Sequence, residues 1–353
     1  MNRVRVVVLF GGKSVEREVS RISARTICGA LDPARYEVVP LAVDADGRFL
    51  PAAASARLLA SGPVPERFRS SEPVSETIVP AEIAPGRADV VFPIIHGTTG
   101  EDGVLQGFLQ TLGLPYVGAG VAASAVGMDK AVFKALLRDA GIPTPRSVVV
   151  RSLADAPVTA GVRLPAFVKP ANGGSSVGVT KVKRREDFGS AIELALRYDE
   201  RVLVEEGIDA RELECAVLGN EDPKSSIPGE IVPGHEFYDY DDKYRDDKAK
   251  LLIPAPVPPA VAAEARRLAV EVFRLCGVSG MARVDFFLER GTDRVLVNEI
   301  NTLPGFTAIS MYPKLWEASG LALHDLLDEL IRLALARHEK RRSLLTEPPA
   351  ELA

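Results

Sequence analysis

Residues 88–95 read Ala-Asp-Val-Val-Phe-Pro-Ile-Ile, apolar at nearly every position and without alternation. A strand with one wetted face alternates, whereas a strand covered on both faces, as in a parallel sheet flanked by helices, does not. Residues 4–10, Val-Arg-Val-Val-Val-Leu-Phe, make the same demand. Around them strands and helices take turns: strand 4–10, helix 19–31, strand 36–43, strand 88–95, helix 103–112 and a short strand 115–117 before a Gly turn. That order predicts a doubly wound α/β layer. Residues 50–86 are rich in Pro, Ala and Ser and are expected to be loop, with weak helix at most.

The strand 4–10 runs into Phe-Gly-Gly-Lys-Ser-Val-Glu-Arg-Glu, residues 10–18. A Walker loop would need glycine at position 7, which is Val7, and a dinucleotide fingerprint would need glycine at position 13, which is Lys13. The turn therefore belongs to neither class. It still lies at the strand end where open α/β sheets bind ligands.

Beyond Met128 the pattern changes. Helix 129–140 stops at Gly141 with Pro143 beyond. Short β runs follow at 148–151, 166–169, 177–182 and 201–205, with one amphipathic helix, 187–197, among them. This second layer reads as antiparallel. Then come strand 212–218, a Tyr/Asp/Lys-dense loop at 233–250, helix 259–275, two strands, helix 322–338 and a charged tail expected to fray. A chain of 353 residues accommodates two to three domains. The expected boundaries are 1–125, 126–212 and 213–340, with the tail at 341–353.

The net charge of −5 is well mixed along the chain, so no nucleic-acid footprint is present. Cys28, Cys215 and Cys276 are too scattered for a metal pair or a disulfide scaffold. No apolar run is long enough to span a bilayer, and no signal peptide precedes the first strand. A cytoplasmic protein is the expectation.

Four stretches could carry chemistry. In residues 282–305 two β runs flank Glu-Arg-Gly-Thr-Asp-Arg, a hairpin signature. Centred on Thr292, the hairpin sets Asp285 opposite Glu299 and Arg283 opposite Asn301, all on one face. Val284, Phe286, Leu288, Leu296 and Ile300 fall on the other face. Two carboxylates and an amide oxygen suit magnesium shared with phosphates, and an adjacent Arg suits a transferring phosphoryl group. A surface ladder of ion-paired charges is the alternative.

In residues 167–182 a strand ends at Lys169, a Gly/Ser loop follows, and another strand begins. Such a flap can cover polyphosphate with backbone N–H groups and hydroxyls, or it can be a flexible hairpin tip. In residues 94–103, His96 stands at a buried strand end, suited to a ligand or to a structural hydrogen bond. Glu101 and Asp102 are placed in the first turn of the next helix, where they complement its dipole. In residues 203–214, Glu205 and Glu212 could meet a nucleotide's base and ribose or be exposed acids.

Together and in this order, the motifs resemble the D-alanine–D-alanine ligases of the ATP-grasp superfamily. They are GGKSVEREVS (11–20), HGTTGEDG (96–103), MDK (128–130), KP (169–170), GSSVG (174–178), YDYDDKY (238–244), RVD (283–285) and NEINTLPG (298–305). The resemblance runs from residue 4 to about residue 336. It implies a three-domain α/β fold: a Rossmann-like N-terminal domain and two α+β lobes gripping ATP. It implies ATP-dependent joining of two D-alanines, through a D-alanyl phosphate, for peptidoglycan precursor synthesis.

By that resemblance Glu16 holds the ammonium of the first D-alanine, braced through Ser175 and Tyr244, with His96 nearby. Lys130, Lys169 and Lys243 contact ATP phosphates; Glu205, Glu206 and Ile208 line the adenine pocket, Glu212 takes the ribose, and Asn298 joins the ATP site. Asp285, Glu299 and Asn301 hold two magnesium ions, with manganese as the substitute. Arg283 and the Gly305 amide stabilise the tetrahedral intermediate, and Ser310 and Met311 bind the second D-alanine's carboxylate. Loop 233–250 closes as a lid, and the protein is a homodimer with no nucleic-acid or membrane partner. Two competing readings are a D-alanine–D-lactate ligase and a non-catalytic nucleotide-binding module. Retention of Lys243 and Tyr244 speaks against the first, and retention of the metal ligands and the flap against the second.

Overall fold

The structure, a computed structural model, describes residues 3–61, 79–233 and 250–345. Among the described residues the strands form three sheets.

The first is parallel, in the order β2-β1-β3, from β1 (Val4–Gly11), β2 (Tyr36–Val43) and β3 (Val90–Pro93). Val6, Val8 and Phe10 of β1 pack with Ala24 and Ile27 of helix α1 (Arg17–Ala30). Val7 and Leu9 point the other way, and their cluster includes Leu105 and Leu109 of α3 (Val104–Thr111). Both faces are covered, which is why these strands carry no alternation. The expected strand 115–117 contributes only one parallel bridge, Val91 to Tyr116. Residues 50–86 hold more order than expected, since Ala52–Ala60 form helix α2, with Ala54 and Ser55 buried. Residues 62–78 lie outside the described part.

Helix α4 (Val121–Met128) was not anticipated; its sequence is apolar or small throughout and carries no amphipathic period. Helix α5 (Lys130–Asp139) follows at once, capped by Asp129, whose carboxylate accepts from the Ala131 and Val132 amides. The second sheet is antiparallel, as expected, in the order β4-β7-β5-β6, from β4 (Ser147–Val150), β5 (Ala166–Pro170), β6 (Thr180–Val182) and β7 (Val202–Glu206). Helix α6 (Phe188–Ala195) packs on one face through Phe188, Ala191 and Ile192.

The third sheet runs β11-β10-β8-β12-β13, with β9 on β8. Its strands are β8 (Ala210–Gly219), β9 (Lys224–Ser225), β10 (Gly229–Val232), β11 (Lys250–Leu252), β12 (Gly280–Glu289) and β13 (Val295–Asn301). The boundary expected at 212 falls inside β8. One face packs on α7 (Pro259–Leu275), where Leu268, Val272 and Phe273 meet Val284, Phe286 and Leu288. The loop expected at 233–250 starts and ends on paired strands, since Val232 faces Lys250. Residues 234–249, and with them the lid, Lys243 and Tyr244, lie outside the described residues.

The hairpin takes the expected register, Arg283 to Asn301 and Asp285 to Glu299. A bulge at Asp285/Phe286 then shifts the pairing, so that Phe286 faces Val297 and Phe287 faces Leu296. Leu296 therefore stands opposite Phe287, outside the α7 core, and Val295 and Val297 take the core places. A β-strand's period of two makes a one-residue slip change faces.

Two helices close the chain. Helix α8 (Met311–Ala318) was missed because Pro313 interrupts its sequence; a proline is tolerated there, within the first turn. Helix α9 (Leu323–Arg342) runs past the expected end at 338. Lys340, Arg341 and Arg342 in its last turn suit the negative helix end, and Lys340 reaches Glu221 at 2.7 Å.

Candidate functional site

Two adjoining cavities open between the three sheets. The larger, about 720 Å³, lies between the β5–β6 flap, β7 and the β8–β12–β13 face. Its size suits a ligand of nucleotide dimensions. The smaller, about 170 Å³, lies where the start of α1, the His96 turn and the Gly305 loop converge, and suits small molecules. Lys130, Ser175, Arg283 and Glu299 line both.

Every described residue to which the resemblance gives a role lines one of them. Glu16, His96, Asn301, Gly305, Ser310 and Met311 line the smaller. Lys169, Glu205, Glu206, Ile208, Glu212, Asp285 and Asn298 line the larger. They come from turns beside the first sheet, from strands and loops of the other two, and from helix starts, so no single segment makes the site.

Arg283 stands at the junction. Its guanidinium donates twice to Asp285, at 2.7 Å each, and lies 2.9 Å from Glu214. Burial opposes its charge, but Asp285 and Glu214 outweigh that and raise its pKa well above the ordinary value. Glu214 escaped the sequence reading. It sits on β8 directly across from Asp285, and only strand pairing brings it there. Glu299 lies 4.0 Å from the Lys130 ammonium.

The flap carries backbone strain. Ser175 and Ser176 sit at φ 53° and 60°, unusual for residues with a Cβ, and such strain gathers at binding sites. The Ser175 hydroxyl is buried without a hydrogen-bond partner among the described residues. The Glu16 carboxylate lies between flap and turn: a methyl on Gly174 would come within 3.5 Å of it, and one on Gly97 within 3.7 Å.

His96 is buried, and its Nε2 has no partner among the described residues. Burial holds its pKa below the ordinary value, against the pull of Glu16. Glu101 and Asp102 require a correction. Helix α3 begins at Val104, so both precede it. Asp102 accepts from the Thr99 and Val104 amides, while Glu101 accepts from the Gly97 amide at 2.8 Å and lines the smaller cavity. Burial, and then the charge of Glu16, pushes the Glu101 carboxyl up to about 8.

On the far wall, Glu205 is buried between two ammonium groups, Lys169 at 2.8 Å on one oxygen and Lys134 at 2.8 Å on the other. Burial alone would raise its pKa, but the two lysines hold it below the ordinary value. One carboxylate serves two cations. Lys134, the more enclosed, bears the cost: burial brings its pKa down to about 8. Glu206 is tied to Arg163 at 2.8 Å.

Ser310 immediately precedes α8. Its hydroxyl accepts from the Thr307 amide at 2.9 Å and would lie 3.0 Å from a methyl on Gly305. A helix N-terminus behind a hydroxyl favours a carboxylate.

Asp285, Glu299 and Asn301 offer only hard oxygen donors on one hairpin face. That donor set fits magnesium better than a soft metal. Among the described residues no group of three or more His, Cys, Asp and Glu side chains forms a ready metal cage.

The chain matches two family models, one described as "D-ala D-ala ligase N-terminus" over residues 5–119 and one as "D-ala D-ala ligase C-terminus" over residues 110–332. The D-alanine--D-alanine ligase of Solibacter usitatus (strain Ellin6076) is 47% identical over 342 residues, covering 96% of this chain and 98% of the relative. D-alanine--D-alanine ligase A of Escherichia coli (strain K12) is 47% identical over 364 residues, covering 98% and 100%. Among solved structures, the D-alanine-D-alanine ligase from Coxiella burnetii superposes with a TM-score of 0.84 at 39% identity, covering 97% of each chain. The VanG D-Ala:D-Ser ligase from Enterococcus faecalis gives 0.83 at 32%, covering 94% of this chain and 100% of that one.

Proposed function

The chain belongs to the D-alanine–D-alanine ligase family, and from that premise we propose how its residues divide the work. It is an ATP-dependent ligase that joins two D-alanines, of use in peptidoglycan precursor synthesis. The observation that carries the assignment of roles is the convergence of every described candidate on two cavities that share Lys130, Ser175, Arg283 and Glu299.

ATP occupies the larger cavity, with its base near Glu206 and Ile208, its ribose at Glu212 and its phosphates toward Lys130 and Lys169 under the flap. The two D-alanines occupy the smaller. Glu16 takes the ammonium of the first, and the Ser310–Met311 helix start takes the carboxylate of the second. Asp285, Glu299 and Asn301 would hold magnesium, which would neutralise phosphate charge during the transfer.

The first D-alanine's carboxylate attacks the γ-phosphorus, giving D-alanyl phosphate and ADP. The amine of the second attacks that carbonyl, and phosphate leaves as the peptide bond forms. Arg283 and the Gly305 amide face the charge that develops on the carbonyl oxygen. Positioning and electrostatics supply most of the rate in such transfers. The flap keeps water from the acyl phosphate, which water would hydrolyse. The three sheets support a division near the boundaries expected from the sequence, and the resemblance implies a cytoplasmic homodimer.

Product analysis with ATP, magnesium, D-alanine and D-lactate at neutral pH tests the reading. D-alanyl-D-alanine is expected to dominate, with ADP release dependent on D-alanine. A dominant depsipeptide, or ADP release indifferent to D-alanine, overturns it.

A further inference from the structure

Lys134 touches neither cavity, yet its ammonium joins both walls of the larger one. Its side chain is 1% exposed and lies 2.8 Å from Glu205 Oε2 on β7. It donates to Thr144 Oγ1 at 2.8 Å and to the Val297 carbonyl on β13 at 3.3 Å. Its ammonium thus makes two hydrogen bonds and one ion pair, with partners from three segments. The Thr144 hydroxyl also donates to the Val297 carbonyl at 2.9 Å, and the Val297 amide donates to the Pro143 carbonyl at 2.8 Å.

The two ends of this knot lead to the cavity. The second oxygen of Glu205 holds Lys169, which lines the nucleotide wall. Val297 is followed directly by Asn298 and Glu299, which line the opposite wall. We propose that Lys134 is a positioning residue: it locks the β4–β7 sheet to the β12–β13 hairpin and so sets the spacing of the groups that receive the nucleotide.

With Lys134 truncated, Glu205 keeps Lys169 as its sole ammonium partner in this pairing. The attraction undivided, Lys169 is drawn toward the carboxylate and away from the cavity. The Val297 carbonyl retains Thr144 but loses its tie to β7. Both changes degrade nucleotide binding, while Glu16 and Ser310, which line the smaller cavity, make no contact with the knot.

This inference rests on the reading that the larger cavity takes ATP, so the test begins with wild-type protein and the magnesium complex of a β,γ-imido ATP analogue, titrated calorimetrically. Absence of binding by wild type would overturn that reading itself. Given binding, Lys134→Met is expected to weaken it at least tenfold, with a matching rise in KM for ATP and less than a twofold change in KM for D-alanine. A folded variant that binds the analogue within twofold of wild type overturns the proposal, even if its melting temperature falls. So does an equal rise in both KM values, which would mark general disruption. If the single variant does not fold, Glu205→Gln is compared with Lys134→Met/Glu205→Gln, which removes the more enclosed of the two ammonium groups that Glu205→Gln strands. A further threefold loss in the double variant supports the hairpin arm of the lock, and a smaller loss overturns it.

Discussion

At the scale of single residues the site is a set of charges held by one another before any ligand arrives. Arg283 is held by Asp285 and Glu214, and Glu299 stands 4.0 Å from Lys130. Glu299 is half-buried on a strand whose packing face is elsewhere, so its removal disturbs the site more than the fold. Glu299→Ala is expected to lower turnover by about two to three orders of magnitude, the scale of losing one preorganised electrostatic contact, with thermal unfolding little changed. ADP release near the wild-type rate would remove Glu299 from the metal site. Glu101 supplies a pH dependence. Its folded pKa of about 8 stands above the ordinary 4.5, so between those values the folded chain keeps a proton that the unfolded chain has lost. Its contribution to stability is complete below pH 4.5 and is lost as pH rises toward 8. Glu101→Gln, fixed in the neutral form, should flatten that slope: the stability difference between pH 5 and pH 8 shrinks relative to wild type in denaturant titrations. An unchanged difference would mean the carboxyl is ionised like an exposed one.

At the scale of elements the decisive piece is the β12–β13 hairpin. Alternation about a Gly-Thr turn was enough to read which carboxylates face each other, because side chains in a strand have period two and the turn sets the register. The bulge at Asp285/Phe286 was not readable, since nothing in the local pattern marks where one strand carries an extra residue; it moved Leu296 off the core face. Helix α5 supports the site from its first turn. Asp129 caps it and also pairs with Arg201, and the next residue is Lys130. Asp129→Ala should cost about 1–2 kcal/mol of stability through the lost cap, measured by denaturant unfolding. It should also raise KM for ATP several-fold as Lys130 loses its seat. A variant as stable as wild type would leave the capping role empty. Helix α8 was passed over because Pro313 reads as a breaker, yet its buried Met311, Tyr312, Leu315 and Trp316 make it a wall of the core.

At the scale of the whole molecule, the ligand cavities are seams between sheets, so ligands that span them should stabilise the assembly. A nucleotide analogue with magnesium at a hundred times its Kd adds about 2.7 kcal/mol by mass action, seen as a rise of a few degrees in melting temperature. Chelation of the metal should remove most of that rise, and a rise insensitive to chelation would place nucleotide binding outside the metal hairpin. What the sequence determined by itself was local or periodic. The unbroken apolar runs required strands covered on both faces, the Gly-Gly-Lys-Ser turn ruled out two phosphate loops, and the hairpin's alternation set Asp285 against Glu299. These follow from side-chain period and turn chemistry, which act between neighbours along the chain. Only the tertiary structure decided that Lys134, Glu205 and Val297 share one buried knot, that Glu214 joins Arg283, and that Glu101 turns into the cavity. Those partners lie tens of residues or more apart, or turn on a loop's path. Their pairing depends on how sheets dock and what is thereby cut off from water, a property that no stretch of sequence carries alone.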